Sequence, residues 1–387
     1  MHFHILSKLF WNINFFPAFL GKIYEIFLTE QLVLLENNTI GLGKKKDCQN
    51  RSVVTTPTEI VKYMVDKTLS KVCEGKTPSE ILNISVADIA CGSGIFLEEA
   101  FAYLQDYCVQ WYICNGQTDH LIETGIDLYK LPLQEKKDIL CSCIYGIDID
   151  IHAVEVAKFS LLIKLIEDET APSVSEVVPI LPDLGDNIQF GNSLVSQTEL
   201  NGISGANRQM MEIAPFDWST INNGCGFDVI IGNPPYVNTE GMHALLPSAE
   251  VEVYKKKYKT SHKQFDKYFI FIEQAINKIN ENGLVCYIVP NKFFKIGAGE
   301  KLRNLIAKER MLVSLDDFGD AQLFEDKTIY SSIILLSKAK QTSFVYSSVD
   351  SANKLWAGEE VSSIELNSSV LNKLPWRLTT DFEFLTM

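Results

Sequence analysis

The chain lacks the excess of positive charge that proteins gripping nucleic acid by themselves commonly carry. Its 387 residues have a formal net charge of −14, whereas such proteins are usually basic overall or carry a basic face. Any role on nucleic acid must therefore depend on local patches or on a further protein part. A hydrophobic content of 46% with 22% charged residues is typical of a folded globular protein. The length allows one large α/β domain with appendages, or roughly two to three domains.

Paired cysteines and a long apolar run are also missing. The nine cysteines contain no C-x-x-C pair, and no cluster of histidines and cysteines is present, so we predict no metal site and reduced thiols in a cytoplasmic protein. The first 28 residues are rich in Phe, Leu and Ile. Polar residues interrupt them well short of the roughly 20 apolar residues that a membrane span needs. We therefore expect no membrane partner, and an N-terminal helical segment over 1–50, with helix to about residue 40.

Apolar runs alternate with helical patterns along the rest of the chain. This alternation predicts an α/β fold with a doubly wound, mostly parallel sheet. We expect one main domain over 51–342, followed at 343–387 by a Ser- and Asn-rich tail or the start of a further domain. The predicted strands lie near 84–90, 144–150, 187–190, 227–232, 284–290, 312–318 and 331–337.

A stretch of small residues, D-I-A-C-G-S-G at 88–94, lies between a predicted strand and a predicted helix. The backbone of such a loop can approach a ligand closely, and the N–H groups of the helix can face it. A dinucleotide site would need a third glycine where Leu97 stands, and an acid about 20 residues further on. The next acid at a strand end, Asp148, follows Gly94 by 54 residues instead. The dinucleotide interpretation therefore fails twice.

Acidic and amide side chains at the strand ends fit S-adenosylmethionine better. Asp148 can accept from the ribose hydroxyls, Asp88 can face the methionine end, and Asn192 can accept from the adenine amine. Taken singly, each has an ordinary structural interpretation: a loop hydrogen bond for Asp88, a helix cap for Asp148 and a turn residue for Asn192. Their order at successive predicted strand ends favours a ligand site.

The segment F-D-V-I-I-G-N-P-P-Y at 227–236 runs from an apolar strand directly into two prolines. Proline cannot donate to a sheet ladder, so the strand stops and a stiff loop begins at its carboxyl end. Two consecutive prolines freeze φ, and the asparagine side chain before them is held in place before any ligand arrives. The candidate catalytic residues are Asn233, Pro234, Pro235 and Tyr236.

Read in order, these motifs resemble the class-gamma amino-methyltransferases of DNA. The resemblance is to the adenine methyltransferase region of single-chain type II (type IIG) restriction-modification enzymes, and it extends over about 20–340. The matching pieces are L-G-K-I-Y-E at 20–25, T-P-T-E-I-V-K-Y-M-V at 56–65, D-I-A-C-G-S-G-I-F-L at 88–97, Y-G-I-D-I-D at 145–150, F-G-N-S-L at 190–194, I-I-G-N-P-P-Y-V at 230–237, F-D-K-Y-F-I-F-I-E at 265–273, Y-I-V-P-N-K-F at 287–293 and L-F-E-D-K-T-I-Y-S-S-I-I-L-L at 323–336.

The resemblance implies methyl transfer from S-adenosylmethionine to the N6 amine of an adenine in double-stranded DNA, flipped out at a cost of a few kcal/mol. Asn233 and the carbonyl of Pro234 would accept the amine's two N–H bonds, and Tyr236 would stack on the base. Phe324 resembles a second stacking residue, although a core role before a strand fits it equally well. The implied cofactor pocket consists of Thr56 at the methionine end, Asp88, Ala90, Gly92, Gly94, Asp148, Ile149, Asn192 and Ser193.

The chain departs from the family pattern in several places. Many relatives carry Asp where Asn192 stands, and the amide keeps one acceptor oxygen. The lysine-rich segment 254–259, with Lys263 and Lys267, is interpreted as a DNA-facing lid, with a solvated loop as the alternative. Nuclease activity is not expected, because Pro182-Asp183 has no nearby Glu-x-Lys partner. A target-recognition domain or subunit is expected outside this chain, since the last 45 residues leave no room for it.

Two other functions stay open on the sequence alone. The first is methylation of RNA or of a protein glutamine, since N-P-P-Y also serves planar amides. The T-P segment and the long region after N-P-P-Y weigh against it. The second is a cofactor-binding subunit that is inactive without a specificity partner.

Overall fold

A computed structural model of the chain describes residues 30–34, 40–44, 56–170, 177–321, 323–324, 329–356, 359 and 361–380. The strands are β1 (Glu30–Leu34), β2 (Ile40–Lys44), β3 (Val86–Asp88), β4 (Ile122–Gly125), β5 (Leu128–Lys130), β6 (Ile144–Asp148), β7 (Ile188–Phe190), β8 (Phe227–Gly232), β9 (Ile279–Pro290), β10 (Leu312–Asp317), β11 (Ser331–Ser337), β12 (Ser343–Ser348) and β13 (Ser362–Asn367). The helices are α1 (Thr58–Cys73), α2 (Pro78–Ile81), α3 (Ile95–Cys114), α4 (Leu133–Cys143), α5 (Ile151–Ile166), α6 (Ala206–Ile213), α7 (Thr239–Leu245), α8 (Ser248–Lys257), α9 (Lys267–Lys278), α10 (Glu300–Glu309) and α11 (Ala352–Trp356).

Among the described residues, nine strands form the central sheet, in the order β13-β12-β10-β11-β9-β8-β3-β6-β7. β7, β6, β3, β8 and β9 are parallel, β11 is antiparallel between β9 and β10, and β12 runs parallel to β10. The expected mostly parallel α/β sheet is confirmed. From β3 the chain builds outward through β6 and β7 on one side, then through β8 and β9 on the other. Ligands of open α/β sheets bind at the carboxyl ends of the strands at such a reversal.

Helices cover both faces of this sheet, because its central strands are apolar on both sides. In β8, Val229 and Ile231 point into an apolar cluster shared with α1, α3, α4 and α5, whereas Ile230 points into a second cluster shared with α8, α9 and α10. Successive residues of a strand face opposite sides of the sheet. The continuous apolar run of β8 therefore reflects burial on two faces rather than one.

The structure corrects the expectations for both ends of the chain. β1 and β2 form an antiparallel hairpin, so the helical interpretation of 1–50 is wrong for these two stretches; residues 1–29 lie outside the described residues. At the other end, β12 and β13 extend the central sheet beyond residue 342. The expected tail at 343–387 is therefore part of the same sheet over 343–367. Further on, the backbone N–H of Trp376 donates to the carbonyl of Phe294 at 2.9 Å.

Candidate cofactor and substrate site

Four strands of the parallel half bring the predicted site residues to one edge of the sheet. β3, β6, β7 and β8 end at Asp88, Asp148, Phe190 and Gly232. Apart from Thr56 and Phe324, the predicted residues lie at these ends or in the loops that follow. The loops are tied to one another. The N–H of Gly191 donates to the carbonyl of Asp148 at 2.8 Å, and the hydroxyl of Ser193 donates to the carbonyl of Ile89 at 2.7 Å.

The glycine loop has the backbone shape that only glycine adopts readily. Gly92 has φ of +54° and Gly94 has φ of +92°, and α3 begins directly after Gly94. A Cβ at Gly94 would lie 3.0 Å from the Cβ of Ala157 on α5, so this glycine lets loop and helix pack closely. A Cβ at Gly92 would meet no atom within 4 Å. The Gly92 side of the loop is therefore open to a ligand.

Asp88 is a buried carboxyl, 3% exposed, at the end of β3. Its Oδ1 accepts the N–H of Ala90 at 3.0 Å. Burial raises the pKa of Asp88 to about 8, while the bond from Ala90 opposes this rise and the nearby Asp148 adds to it. A Cβ at Gly232 would lie 2.6 Å from Asp88 Oδ1. The carboxyl therefore contacts the residue that directly precedes Asn233.

Asp148 is linked by hydrogen bonds to the glycine loop. Its Oδ2 accepts the N–H of Gly92 at 2.8 Å, and its Oδ1 accepts the N–H of Asp150 at 2.8 Å. Loss of solvent around the carboxyl raises its pKa, and these two bonds oppose that rise. Asp148 does not cap the following helix, α5. Asp150 caps it instead, because its side chain accepts from the N–H of His152. Ile149, between the two acids, is exposed at the same edge.

Asn192 is 4% exposed, and both ends of its amide are engaged. Its Oδ1 accepts the N–H of Leu194 at 3.1 Å, and its Nδ2 donates to Oε1 of Glu250 at 3.0 Å. A backbone N–H can only donate and a carboxylate can only accept, so the two partners assign the same orientation to the amide. The second lone pair of Oδ1 stays available to a donor.

The loop after β8 joins Asn233 to residues far apart in the sequence. Its Nδ2 donates to the hydroxyl oxygen of Thr56 at 3.0 Å, and its Oδ1 accepts from the hydroxyl of Tyr236. That hydroxyl also contacts the carbonyl of Ile288 on β9 at 2.8 Å. Thr56 precedes α1 and is buried. The side chain of Asn233 is therefore held with its nitrogen toward Thr56 and its oxygen toward Tyr236.

Tyr236 is held as a neutral phenol with a fixed ring. Burial raises its pKa well above the ordinary value, and the charge of Asp266 raises it further. Its ring meets that of Tyr268 edge to face, with centroids 5.9 Å apart. Phe324 does not share this position. It is 2% exposed and packs in the apolar cluster on the α1 face of the sheet, so its stacking role stays a prediction.

The lysine-rich segment begins inside a helix, and its role as a DNA-facing lid stays a prediction. Residues 248–257 form helix α8, in which Tyr254 is buried, and Tyr258 directly after it is buried as well. The hydroxyl of Tyr258 donates to the carbonyl of Leu194 at 2.7 Å. Lys257 pairs with Glu199 at 2.9 Å. The aromatic residues thus pack α8 onto the loop that follows β7, because helical spacing turns them inward.

The sequence did not reveal the buried Glu250 at this edge, and it suggested a DNA-facing position for Lys267, which is buried here as well. Glu250 on α8 and Lys267 at the start of α9 are both buried, and their side chains lie 3.8 Å apart. Glu250 and Tyr254 stand at helical i, i+4 spacing, which is a local signal. No local pattern links them to Asn192, which lies 58 residues before Glu250.

These residues fit S-adenosylmethionine, whose methionine end carries an ammonium and a sulfonium group. Within the described part of the chain, Asp88 has no cationic partner, so a bound cation would supply the missing charge. Tyr287 on β9 pairs in register with Gly232. Its buried hydroxyl has no hydrogen-bond partner among the described residues. A carboxyl without its cation and a hydroxyl without a partner thus flank the same glycine.

Among the described residues, no group of three or more His, Cys, Asp or Glu side chains could hold a metal ion. No helix among them is long and apolar enough to cross a membrane.

Solved structures share this fold. The chain superposes on a nuclease-deletion mutant of the type ISP restriction-modification enzyme LlaGI, solved with a DNA substrate mimic, with a TM-score of 0.56 at 16% identity over 86% of this chain and 28% of that one. It superposes on a chain of the DrdV–DNA complex with a TM-score of 0.59 at 14% identity over 91% and 32%. The chain therefore has the same fold as the matched regions of these two structures.

Sequence comparison identifies the family. The family model described as "Eco57I restriction-modification methylase" matches residues 142–324. The type II restriction enzyme and methyltransferase RM.Eco57I of Escherichia coli is 41% identical over 363 residues, which are 92% of this chain and 35% of that protein. The type II methyltransferase M.BstVI of Geobacillus stearothermophilus is 24% identical over 257 residues, 66% of this chain and 37% of that protein. Residues 142–324 therefore belong to the Eco57I restriction-modification methylase family, and the resemblance to type II methyltransferases is confirmed. The chain spans little more than a third of the length of these relatives.

Proposed function

We propose that this chain methylates the N6 amine of a flipped-out adenine in double-stranded DNA, with S-adenosylmethionine as the methyl donor. The observation that carries the proposal is the hydrogen-bonded chain from Thr56 through Asn233 to Tyr236, next to the buried carboxyl of Asp88. An amide oxygen and a backbone carbonyl on a rigid loop match the two N–H bonds of a planar amine.

The exocyclic nitrogen of adenine is a poor nucleophile, because its lone pair is delocalised into the ring. Asn233 Oδ1 and the carbonyl of Pro234 accept its two N–H bonds and localise the lone pair. The bond to Thr56 keeps the nitrogen of the Asn233 amide turned away, so that the oxygen is the atom presented. Such preorganised acceptors need no rearrangement when charge develops on the amine.

S-adenosylmethionine, when bound, supplies a methyl group activated by its sulfonium. Asp88 holds the ammonium end, and its contact with Gly232 brings that end close to Asn233. Asp148 accepts from the ribose hydroxyls beside the open face of Gly92. Ala90, Gly94, Ile149, Asn192 and Ser193 complete the pocket at the same edge.

A base inside a duplex cannot reach a loop at the sheet edge, so the adenine must leave the stack. The ring of Tyr236, fixed against Tyr268, offers a flat surface for it. Phe324 is the proposed second stacking residue, and it must leave its buried position to act. The net charge of −14 indicates that a target-recognition domain or subunit outside the matched region supplies much of the DNA contact. We place the activity in a restriction-modification system, with no DNA cleavage by this chain.

Long-read sequencing for N6-methyladenine tests the proposal, using DNA from a methylation-deficient host that expresses this chain or its Asn233→Ala variant. Methylated adenines in a fixed motif, absent with the variant, support a DNA methyltransferase that finds its site unaided. Calorimetry with S-adenosylhomocysteine is run in parallel on both proteins. If the unmodified chain binds the cofactor but methylates no DNA, the chain is a binding subunit or acts on another substrate. If Asn233→Ala loses cofactor binding and methyl transfer equally, the proposed role of Asn233 at the base is contradicted.

A further inference from the structure

Behind the predicted adenine contact lies a buried polar cluster of Asn192, Glu250, Tyr254 and Lys267, here called the Glu250 cluster. Oε1 of Glu250 accepts from Nδ2 of Asn192 at 3.0 Å and from the hydroxyl of Tyr254. Nζ of Lys267 lies 3.8 Å from the same oxygen and 5.6 Å from the centre of the Tyr254 ring. One carboxylate oxygen thus joins α8 and α9 to the loop that follows β7.

Glu250 is only 1% exposed. A buried carboxylate costs free energy unless it is paired and hydrogen-bonded, and an apolar side chain of similar size usually packs there at no loss of stability. The two donors and the ammonium of Lys267 compensate the charge. Fold stability alone does not call for this arrangement, so the geometry it imposes on Asn192 is the feature to explain.

The cluster presents Asn192 as an acceptor. Glu250 takes up the amide nitrogen, and the N–H of Leu194 uses one lone pair of the amide oxygen. The other lone pair is the remaining acceptor capacity of the amide oxygen. It suits an amine, such as the 6-amino group of adenine, and it opposes a carbonyl oxygen at the same position.

Lys267 extends the cluster toward the predicted ribose contact. Burial lowers the pKa of Lys267, and both Glu250 and Asp148 counter this effect electrostatically. The loop of Asn192 is joined to Asp148 directly, through the N–H of Gly191. The Glu250 cluster therefore stands next to both residues assigned to the adenosine part of the cofactor.

We propose that Glu250 is a positioning residue that orients Asn192, so that the pocket accepts a 6-aminopurine and rejects a 6-oxopurine. This inference rests on the proposed cofactor. It also accounts for the amide at 192, because an acid there would set a second carboxylate against Glu250. The amide of Asn192 and the buried carboxylate of Glu250 are complementary, because the first donates a hydrogen bond that the second accepts.

Calorimetry of the full chain with two ligands tests the proposal without any methyl transfer. S-adenosylhomocysteine carries the 6-amino group, and S-inosylhomocysteine carries an oxygen in its place. We expect the unmodified chain to prefer the amino ligand by at least about tenfold, as the loss of one buried hydrogen bond implies. Glu250→Gln should reduce this preference to about threefold or less, mainly by weakening the amino ligand. The control is Glu252→Gln, two residues further along α8, where the side chain is partly exposed and pairs with Lys256.

An equal loss of affinity for both ligands in Glu250→Gln would show a structural role only and would overturn the proposal, as would an unchanged preference. Thermal unfolding confirms that each variant is folded. If the unmodified chain does not bind S-adenosylhomocysteine, the proposed cofactor is contradicted, and so is the inference about Glu250 that rests on it.

An exchange of the pair gives a second test that does not depend on the inosine ligand. Asn192→Asp alone should weaken S-adenosylhomocysteine at least about tenfold at pH 8, because two carboxylates then meet in a buried site. Adding Glu250→Gln should restore affinity to within about threefold, since the amide can donate to the acid in the reverse direction. A double variant no better than Asn192→Asp would contradict the pairing.

Discussion

The contact between Gly232 and Asp88 allows one variant to be worked out from the structure. In Gly232→Ala the new Cβ would lie 2.6 Å from Oδ1 of Asp88, and 2.8 Å from both its Cγ and its Oδ2. Nonbonded heavy atoms pack best at about 3.5 Å. The carboxyl must therefore retreat by most of an ångström, or the loop that carries Asn233 must move by a similar amount.

Asp88 cannot retreat freely, because it is buried and its Oδ1 accepts from the N–H of Ala90. Overpacking of a tight site costs about 1–3 kcal/mol. If the displacement of the Asp88 carboxyl weakens ligand binding by the same free energy, the dissociation constant for S-adenosylhomocysteine rises about 5- to 150-fold. The same displacement moves Asn233, so the rate of methyl transfer at saturating cofactor falls as well.

Calorimetry with S-adenosylhomocysteine and a thermal unfolding curve are the two assays for Gly232→Ala. The matched control is Gly297→Ala, where a Cβ would meet only Nζ of Lys263 at 3.9 Å. We expect the control to bind as the unmodified chain does. Unchanged affinity in a folded Gly232→Ala protein would refute the reasoning, because it would mean that the ligand does not depend on the position of Asp88.

Further predictions concern three other positions. Thr56→Val removes the acceptor of Asn233 Nδ2 and should lower the single-turnover transfer rate up to about tenfold; an unchanged rate would contradict the orienting bond. Because the pKa of Asp88 is raised to about 8, the free protein should lose stability as pH rises from 3.8 to about 8, and Asp88→Asn should flatten that dependence in chemical denaturation. Binding a ligand ammonium at pH 7 should release close to one proton, seen as a buffer-dependent binding enthalpy that Asp88→Asn abolishes. Ile230→Ala in β8 should cost about 2–5 kcal/mol of unfolding free energy, against about 0.5 kcal/mol or less for Met211→Ala, since Met211 is 95% exposed.

Strong local patterns predicted the elements that carry the site. The glycine loop, the strand before N-P-P-Y and the strand ends at Asp88 and Asp148 all lie within a residue or two of their predicted places. Apolar runs and glycine or proline stops act over short distances, so a single sequence reveals them.

Elements without such a signal were missed. β12 and β13 contain many polar residues, and they become part of the sheet only because β12 pairs with β10 and β13 pairs with β12. The many lysines of α8 suggested a charged loop in the sequence. The buried face of this helix packs on α9 and on the loop that follows β7, which no local pattern reveals. Tertiary burial overrode the local pattern in both cases.

The sequence by itself determined the kind of sheet, the order of its motifs and the chemical groups that end at one edge. It did so because glycine, proline and strand-end acids have local backbone consequences. Only the tertiary structure decided how those groups are oriented. The bond from Asn233 to Thr56 spans 177 residues and the bond from Asn192 to Glu250 spans 58. Which atom of an amide faces a ligand depends on neighbours that no local pattern specifies, because they are brought together by packing alone.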